Sequence, residues 1–113
     1  GELMHIKLRH LEVFDALVKA GSISRAAKRL HLSQPAVSIA LSNLEAEFGF
    51  KLLHRSKGYF ALTSEALFLQ NDLEQGLYAI SRICQNANAV KTGTIGGVTI
   101  ATNGALAINF LPK

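Results

Sequence analysis

The segment 22-SISRAAKRLHLSQPAVSIALSNLEAEFG-49 leaves the backbone few options. Ser22 or Ser24 can cap a short helix, Arg25–Leu30, because a serine oxygen accepts an N–H of the first turn that has no partner inside the helix. Only His31 and Leu32 separate this helix from Ser33, a second N-cap signal. Pro35 follows in the first turn, where its missing N–H costs little. Val37, Leu41, Leu44 and Phe48 then recur at the 3.6-residue period and make one apolar stripe. Gly49 suits the helix stop. Ala26 and Ala27 permit a close approach between the two helices, and the plan is a short positioning helix, a tight turn and a longer second helix.

The flanks extend this unit. Leu8, Leu11, Phe14, Leu17 and Val18 lie at helical spacing ahead of Gly21, which predicts a helix over 8–20. Beyond Gly49, Lys51–Arg55 and Tyr59–Leu62 flank Ser56-Lys57-Gly58 and read as a β-hairpin. Ser64 can cap a long helix that runs to Asn86 or a little beyond. Lys91-Thr-Gly-Thr breaks it, 95-IGGVTIA-101 is strand-like, and 104-GALAINFLPK-113 reads as the start of another helix. The expected fold is therefore mainly α: a winged helix-turn-helix of three helices plus a β-hairpin wing over 4–63, then a long linker helix over 64–90. Residues 91–113 read as a hinge and the truncated start of a further domain. That piece cannot bury its apolar faces alone, so it is expected to be poorly ordered or ordered only by packing on a neighbouring chain. Gly1, Glu2 and Leu3 precede Met4 and read as a remnant ahead of the native start.

Charge is unevenly spread. Of the net +4, residues 1–63 carry nine lysines and arginines against five acids, while residues 64–90 carry Arg82 against Glu65, Asp72 and Glu74. A basic N-terminal half suits a polyanion. No apolar run approaches a membrane span, and no cleavable signal is visible. Cys84 is the single cysteine, so no internal disulfide forms and the reducing cytoplasm is the expected setting. Histidines 5, 10, 31 and 54 share no metal-like spacing. Gly93, Gly96 and Gly97 do not make a dinucleotide fingerprint. No nucleophile–base pair stands out, so neither an enzyme nor a cofactor is expected.

The combination of 21-GSISRAAKRLHLSQPAVS-38, 44-LEAEFGFKLLHR-55 and 62-LT-63 resembles the N-terminal DNA-binding module of LysR-type transcriptional regulators. The resemblance runs over roughly residues 7–90. It implies a winged helix-turn-helix, a linker helix that pairs antiparallel with its twin, a hinge, and an effector-binding α/β domain. Gly93-Thr-Ile-Gly-Gly-Val-Thr-Ile100 is similar to the start of that domain's first strand. A small-molecule effector is implied only where the rest of that domain is present. Three features depart from the family pattern. Ile39 stands where the family commonly has arginine. Ser64-Glu65-Ala66 stands where a small residue and glycine usually follow Leu-Thr. The sequence also carries only the start of the effector domain.

With Val37 taken as the inward direction, Pro35, Ser38, Ile39, Ser42 and Ala46 point outward, and Gln34 reaches past the helix tip. Small uncharged side chains let a helix enter a major groove deeply. Gln34, Pro35, Ser38, Ile39 and Ser42 are the expected base contacts. Gln34 can pair bidentately with adenine, a contact of about 1–3 kcal/mol in discrimination. Ile39 packs on a thymine methyl, fills a gap against the wing, or is simply an exposed apolar residue. Ser24, Arg25, Lys28, Arg29, Ser33, Arg55 and Lys57 are the expected phosphate or minor-groove contacts.

The linker helix carries Ala66, Leu69, Leu73, Gly76, Ile80, Ile83 and Ala87 in a heptad register, with Leu73, Leu77, Ile80 and Cys84 beside it. Ala66 to Leu69 are expected to pack on the first helix of the same chain. Leu69, Leu73, Gly76, Leu77, Ile80, Ile83, Cys84 and Ala87 are expected to form a dimer seam. The predicted partners are double-stranded DNA with an inverted repeat and a second copy of the chain, with a tetramer possible at full length. A protein-interaction module that uses the winged helix to dock a partner is the alternative.

Overall fold

The computed structural model describes residues 4–56, 59–93, 98–100 and 106–108. Helix α1 spans Leu8–Ala20, α2 Ile23–Leu30 and α3 Gln34–Phe48. Each ends where the sequence supplies a residue able to turn left-handed. Gly21 (φ 78°) and Gly49 (φ 89°) close α1 and α3, and glycine adopts that conformation without steric cost. His31 closes α2 at φ 57°, the one positive-φ residue other than glycine among those described. Its N–H donates to the Lys28 carbonyl, and the Leu32 N–H donates to the Ala27 carbonyl at 2.9 Å. These bonds satisfy the last carbonyls of α2 and redirect the chain within two residues. The N-caps are Ser22, accepting from the Arg25 N–H at 3.1 Å, and Ser33, accepting from the Ala36 N–H at 3.2 Å. Of the two serines open in the sequence, Ser22 is thus the cap, and α2 begins two residues earlier than expected.

Strands β1 (Leu53–Ser56) and β2 (Tyr59–Leu62) pair antiparallel, with Leu53 opposite Leu62 and Ser56 opposite Tyr59. Helix α4 spans Ser64–Thr92. The chain divides into two units, Gly1–Leu77 and Tyr78–Lys113. The core of the first unit gathers Val13, Phe14 and Leu17 from α1, Ala26 and Ala27 from α2, Val37, Leu41 and Leu44 from α3, Leu52 and Leu53 at the wing, and Ala66 and Leu73 from α4. Phe14, Leu17, Leu41 and Leu44 are wholly buried. Each contributes on the order of 1.5–3 kcal/mol by leaving water.

Three sequence expectations need correction. The cap of α4 is Thr63, whose Oγ1 accepts from the Ala66 N–H at 3.1 Å. Ser64 is the first helical residue and donates to Glu65 Oε1 instead. Thr63 is already held at the end of β2 because its hydroxyl donates to the Lys51 carbonyl at 2.7 Å, so it caps with little further ordering. Residues 106–108 do not begin a helix. They form β4 (Leu106–Ile108), antiparallel to β3 (Val98–Ile100), with Val98 opposite Ile108. A neighbouring strand supplies backbone partners that a first helical turn lacks. Leu73, placed on the partner seam by its heptad position, is buried in the core of its own chain at 8% exposure. That burial leaves little of it for a partner. Residues 1–3 lie outside the described residues. Among the described residues no helix is long and apolar enough to cross a membrane.

Candidate nucleic-acid interface

Helix α3 buries Val37, Ala40, Leu41 and Leu44 on one side. Its opposite side is bare of charge. Gln34, Pro35, Ser42 and Ala46 are exposed, Ser38 is half-buried, and Ile39 is 61% exposed. The alternative in which Ile39 fills a gap against the wing is therefore excluded. Pro35, Ile39, Ser42 and Ala46 follow at intervals of three and four residues, so they form one rail along the helix.

The cations sit on the neighbouring helix. Arg25, Lys28 and Arg29 of α2 are all exposed. No acidic residue occurs from Ala16 to Leu44. Arg9 pairs with Glu12 at 3.5 Å, Lys19 with Asp15 at 3.0 Å and Lys51 with Glu45 at 3.9 Å. Arg25, Lys28 and Arg29 enter no such pair among the described residues, so their positive field is not cancelled locally.

The helix N-termini differ. In the first turn of α3, Pro35 has no N–H, and the Ala36 and Val37 N–H groups are engaged by Ser33 Oγ and the Ser33 carbonyl. Only Gln34 keeps a first-turn N–H outside these caps. In α2, the Arg25 and Ala26 N–H groups are engaged by Ser22, and those of Ile23 and Ser24 stay outside the cap. Ser24 is itself exposed. The α2 end is thus the better placed of the two to offer backbone donors to an anion. Arg55 lies in β1 opposite Phe60. Lys57 lies outside the described residues.

Two residues with no assigned role in the sequence reading hold this surface together. Glu45 is 5% exposed, and its Oε2 accepts from the Leu52 N–H at 2.7 Å. Thr63 is 6% exposed, and its N–H donates to the Leu52 carbonyl at 3.0 Å. Together with the Thr63–Lys51 and Thr63–Ala66 bonds, these tie α3, the wing and the start of α4 into one polar seam. A glutamate on an otherwise apolar flank of α3 was the available signal.

On α4, Leu69, Leu77 and Ile80 are half-buried, whereas Gly76, Ile83, Cys84 and Ala87 are exposed. Phe68 is 82% exposed and Ile83 66%. Phe68 belongs to neither heptad stripe, so no periodic signal marks it in the sequence. No group of three His, Cys, Asp or Glu side chains able to hold a metal ion exists among the described residues.

Two helices joined by a short turn, a hairpin wing and the cations of α2 define a winged helix-turn-helix of the nucleic-acid-reading class. The description "Bacterial regulatory helix-turn-helix protein, lysR family" matches residues 8–67, and the chain belongs to that family. It is 40% identical over 107 residues to the HTH-type transcriptional regulator DgcR of Pseudoalteromonas, covering 95% of this chain and 37% of that protein. It is 35% identical over 108 residues to the transcriptional activator protein LysR of Escherichia coli K12, covering 96% and 35%. The chain thus spans about a third of the length of these curated relatives, which are regulators of transcription and not enzymes. Among solved structures, it resembles the BenM DNA-binding domain in complex with catB site 1 DNA. There the TM-score is 0.73 and the identity 30%, over 80% of this chain and 97% of that one. It likewise resembles the CbnR DNA-binding domain in complex with DNA, with TM-score 0.69 and 34% identity over 76% and 99%.

Proposed function

We propose that this chain is the operator-reading part of a transcriptional regulator. Helix α3 enters the major groove of double-stranded DNA, and the wing lies near the minor groove. The observation that carries this is the pairing of an uncharged face on α3 with an exposed cationic α2 whose side chains pair with no acid among the described residues. The likeness to two domains solved with DNA supports it. Gln34, Pro35, Ser38, Ile39 and Ser42 meet base edges. Arg25, Lys28 and Arg29, the α2 N-terminus at Ser24, the Ser33 hydroxyl, Arg55 and Lys57 meet the backbone, where contacts position the protein without carrying sequence.

A second copy completes the reader. The exposed apolar side of α4, with Gly76, Ile83 and Ala87 beside half-buried Ile80, offers more apolar surface than a lone helix leaves in water. Two copies joined there present two α3 helices to half-sites one or more turns apart, so the operator is an inverted repeat. A small-molecule effector is part of this reading only where the domain that begins after the hinge is present. Selection of bound duplexes from a random pool tests all of this together. The expected enrichment is an inverted repeat with fixed half-site spacing. Enrichment of no sequence, or of unpaired half-sites only, overturns the DNA or the dimer reading respectively.

A further inference from the structure

Ile39 is the most exposed large apolar residue of α1 to α3, at 61%. Along the rail it has Pro35 on one side and Ser42 on the other, with half-buried Ser38 beside it. Its neighbours three and four positions away along α3, Pro35, Ala36, Ser42 and Asn43, include no aromatic or large aliphatic side chain. A protein partner recognised here would need a cluster of anchors, and hot spots of that kind are built from aromatic residues and arginine. Isoleucine also has no donor or acceptor, so it cannot read a base by hydrogen bonding. In the major groove, base edges offer polar atoms and a single apolar group, the C5-methyl of thymine. Isoleucine is β-branched and held to one main χ1 rotamer in a helix, so presenting it rigidly costs little entropy. Opposite guanine or cytosine the same side chain would strip water from polar edges and return no hydrogen bond.

We infer that Ile39 is a specificity residue that reads thymine methyl groups. The inference rests on the proposed entry of α3 into the major groove and adds the chemical group being read. It distinguishes thymine from uracil at one or two positions of each half-site, and there it disfavours G·C pairs.

The test replaces thymines of the selected operator one at a time by deoxyuridine, which removes only the methyl and keeps the pairing. At the Ile39 positions wild-type affinity is expected to fall about 4-fold per methyl, the equivalent of one buried methyl group. In Ile39→Ala the thymine and uracil duplexes are expected to bind equally at those positions. Circular dichroism checks that this exposed substitution leaves the fold intact, and Ile39→Val, which keeps the β-branch, is expected to retain most of the discrimination. Indifference of the wild type to uracil at every thymine overturns the inference and leaves the DNA reading standing. A uracil penalty undiminished in Ile39→Ala overturns it as well. If the wild type enriches no duplex in the initial selection, the DNA reading fails and this inference fails with it.

Discussion

Glu45 places a carboxylate inside the DNA-binding domain. Its 5% exposure hides the charge from solvent, and the Leu52 N–H at 2.7 Å uses it. Removing the carboxylate strands a buried donor, which costs about 1–3 kcal/mol. Glu45→Ala is therefore expected to lower the melting temperature by about 4–8 °C for each kcal/mol lost, as in other domains of this size. Glu45→Gln keeps an acceptor oxygen and should lose much less. Equal losses in the two variants, followed by thermal melts, would mean that the hydrogen bond to Leu52 is not what Glu45 contributes. On the exposed face of the same helix, Ile39→Arg exchanges an apolar side chain for a bidentate donor suited to guanine. Its expected effect is a changed base preference at one position of the selected half-site, larger than any change in affinity for mixed DNA. An unchanged selection profile would count against an Ile39 base contact.

Helices α1 and α3 were legible almost to the residue, because Gly21 and Gly49, and for α3 Ser33 and Pro35, punctuate a clear 3.6-residue period. Helix α4 was legible as a helix but not in its allegiance. A heptad stripe looks the same whether it faces a partner or its own core, and Leu73 shows the ambiguity by being buried in its own chain. The exposure of Phe68 was invisible for the converse reason, since it repeats in neither stripe. The Thr63 cap depended on a hydroxyl fixed by the Lys51 carbonyl across the hairpin, a long-range contact that no local pattern encodes. The strand at Leu106–Ile108 depended likewise on a partner strand. These burials divide the helix into two experiments. Ile83→Asp with Ala87→Asp changes exposed positions, so sedimentation is expected to report a monomer while the melting transition of the first unit stays within a few degrees. Leu73→Asp buries an unpaired charge in the core and is expected to unfold that unit. A dimer that forms equally in the double variant would take the proposed seam away from Ile83 and Ala87.

For the whole molecule, the proposed reading places affinity on charged α2 and specificity on uncharged α3. Phosphate contacts release counterions, so about five neutralised phosphates per subunit give a log affinity against log salt slope of roughly −4 to −5, about doubled in a dimer. Arg25 and Arg29 are exposed and unpaired among the described residues, so Arg25→Ala with Arg29→Ala is expected to flatten that slope by about 2 per subunit. The double variant should weaken binding to the operator and to mixed DNA by the same factor, which keeps their ratio. Gln34→Ala should do the reverse, lowering the ratio while leaving the slope alone, because a contact to a base edge displaces no condensed cation. Fluorescence anisotropy on both duplexes across a salt series separates the two behaviours. An arginine variant that loses the ratio, or a Gln34 variant that loses the slope, would mean that backbone and base contacts are not divided between α2 and α3.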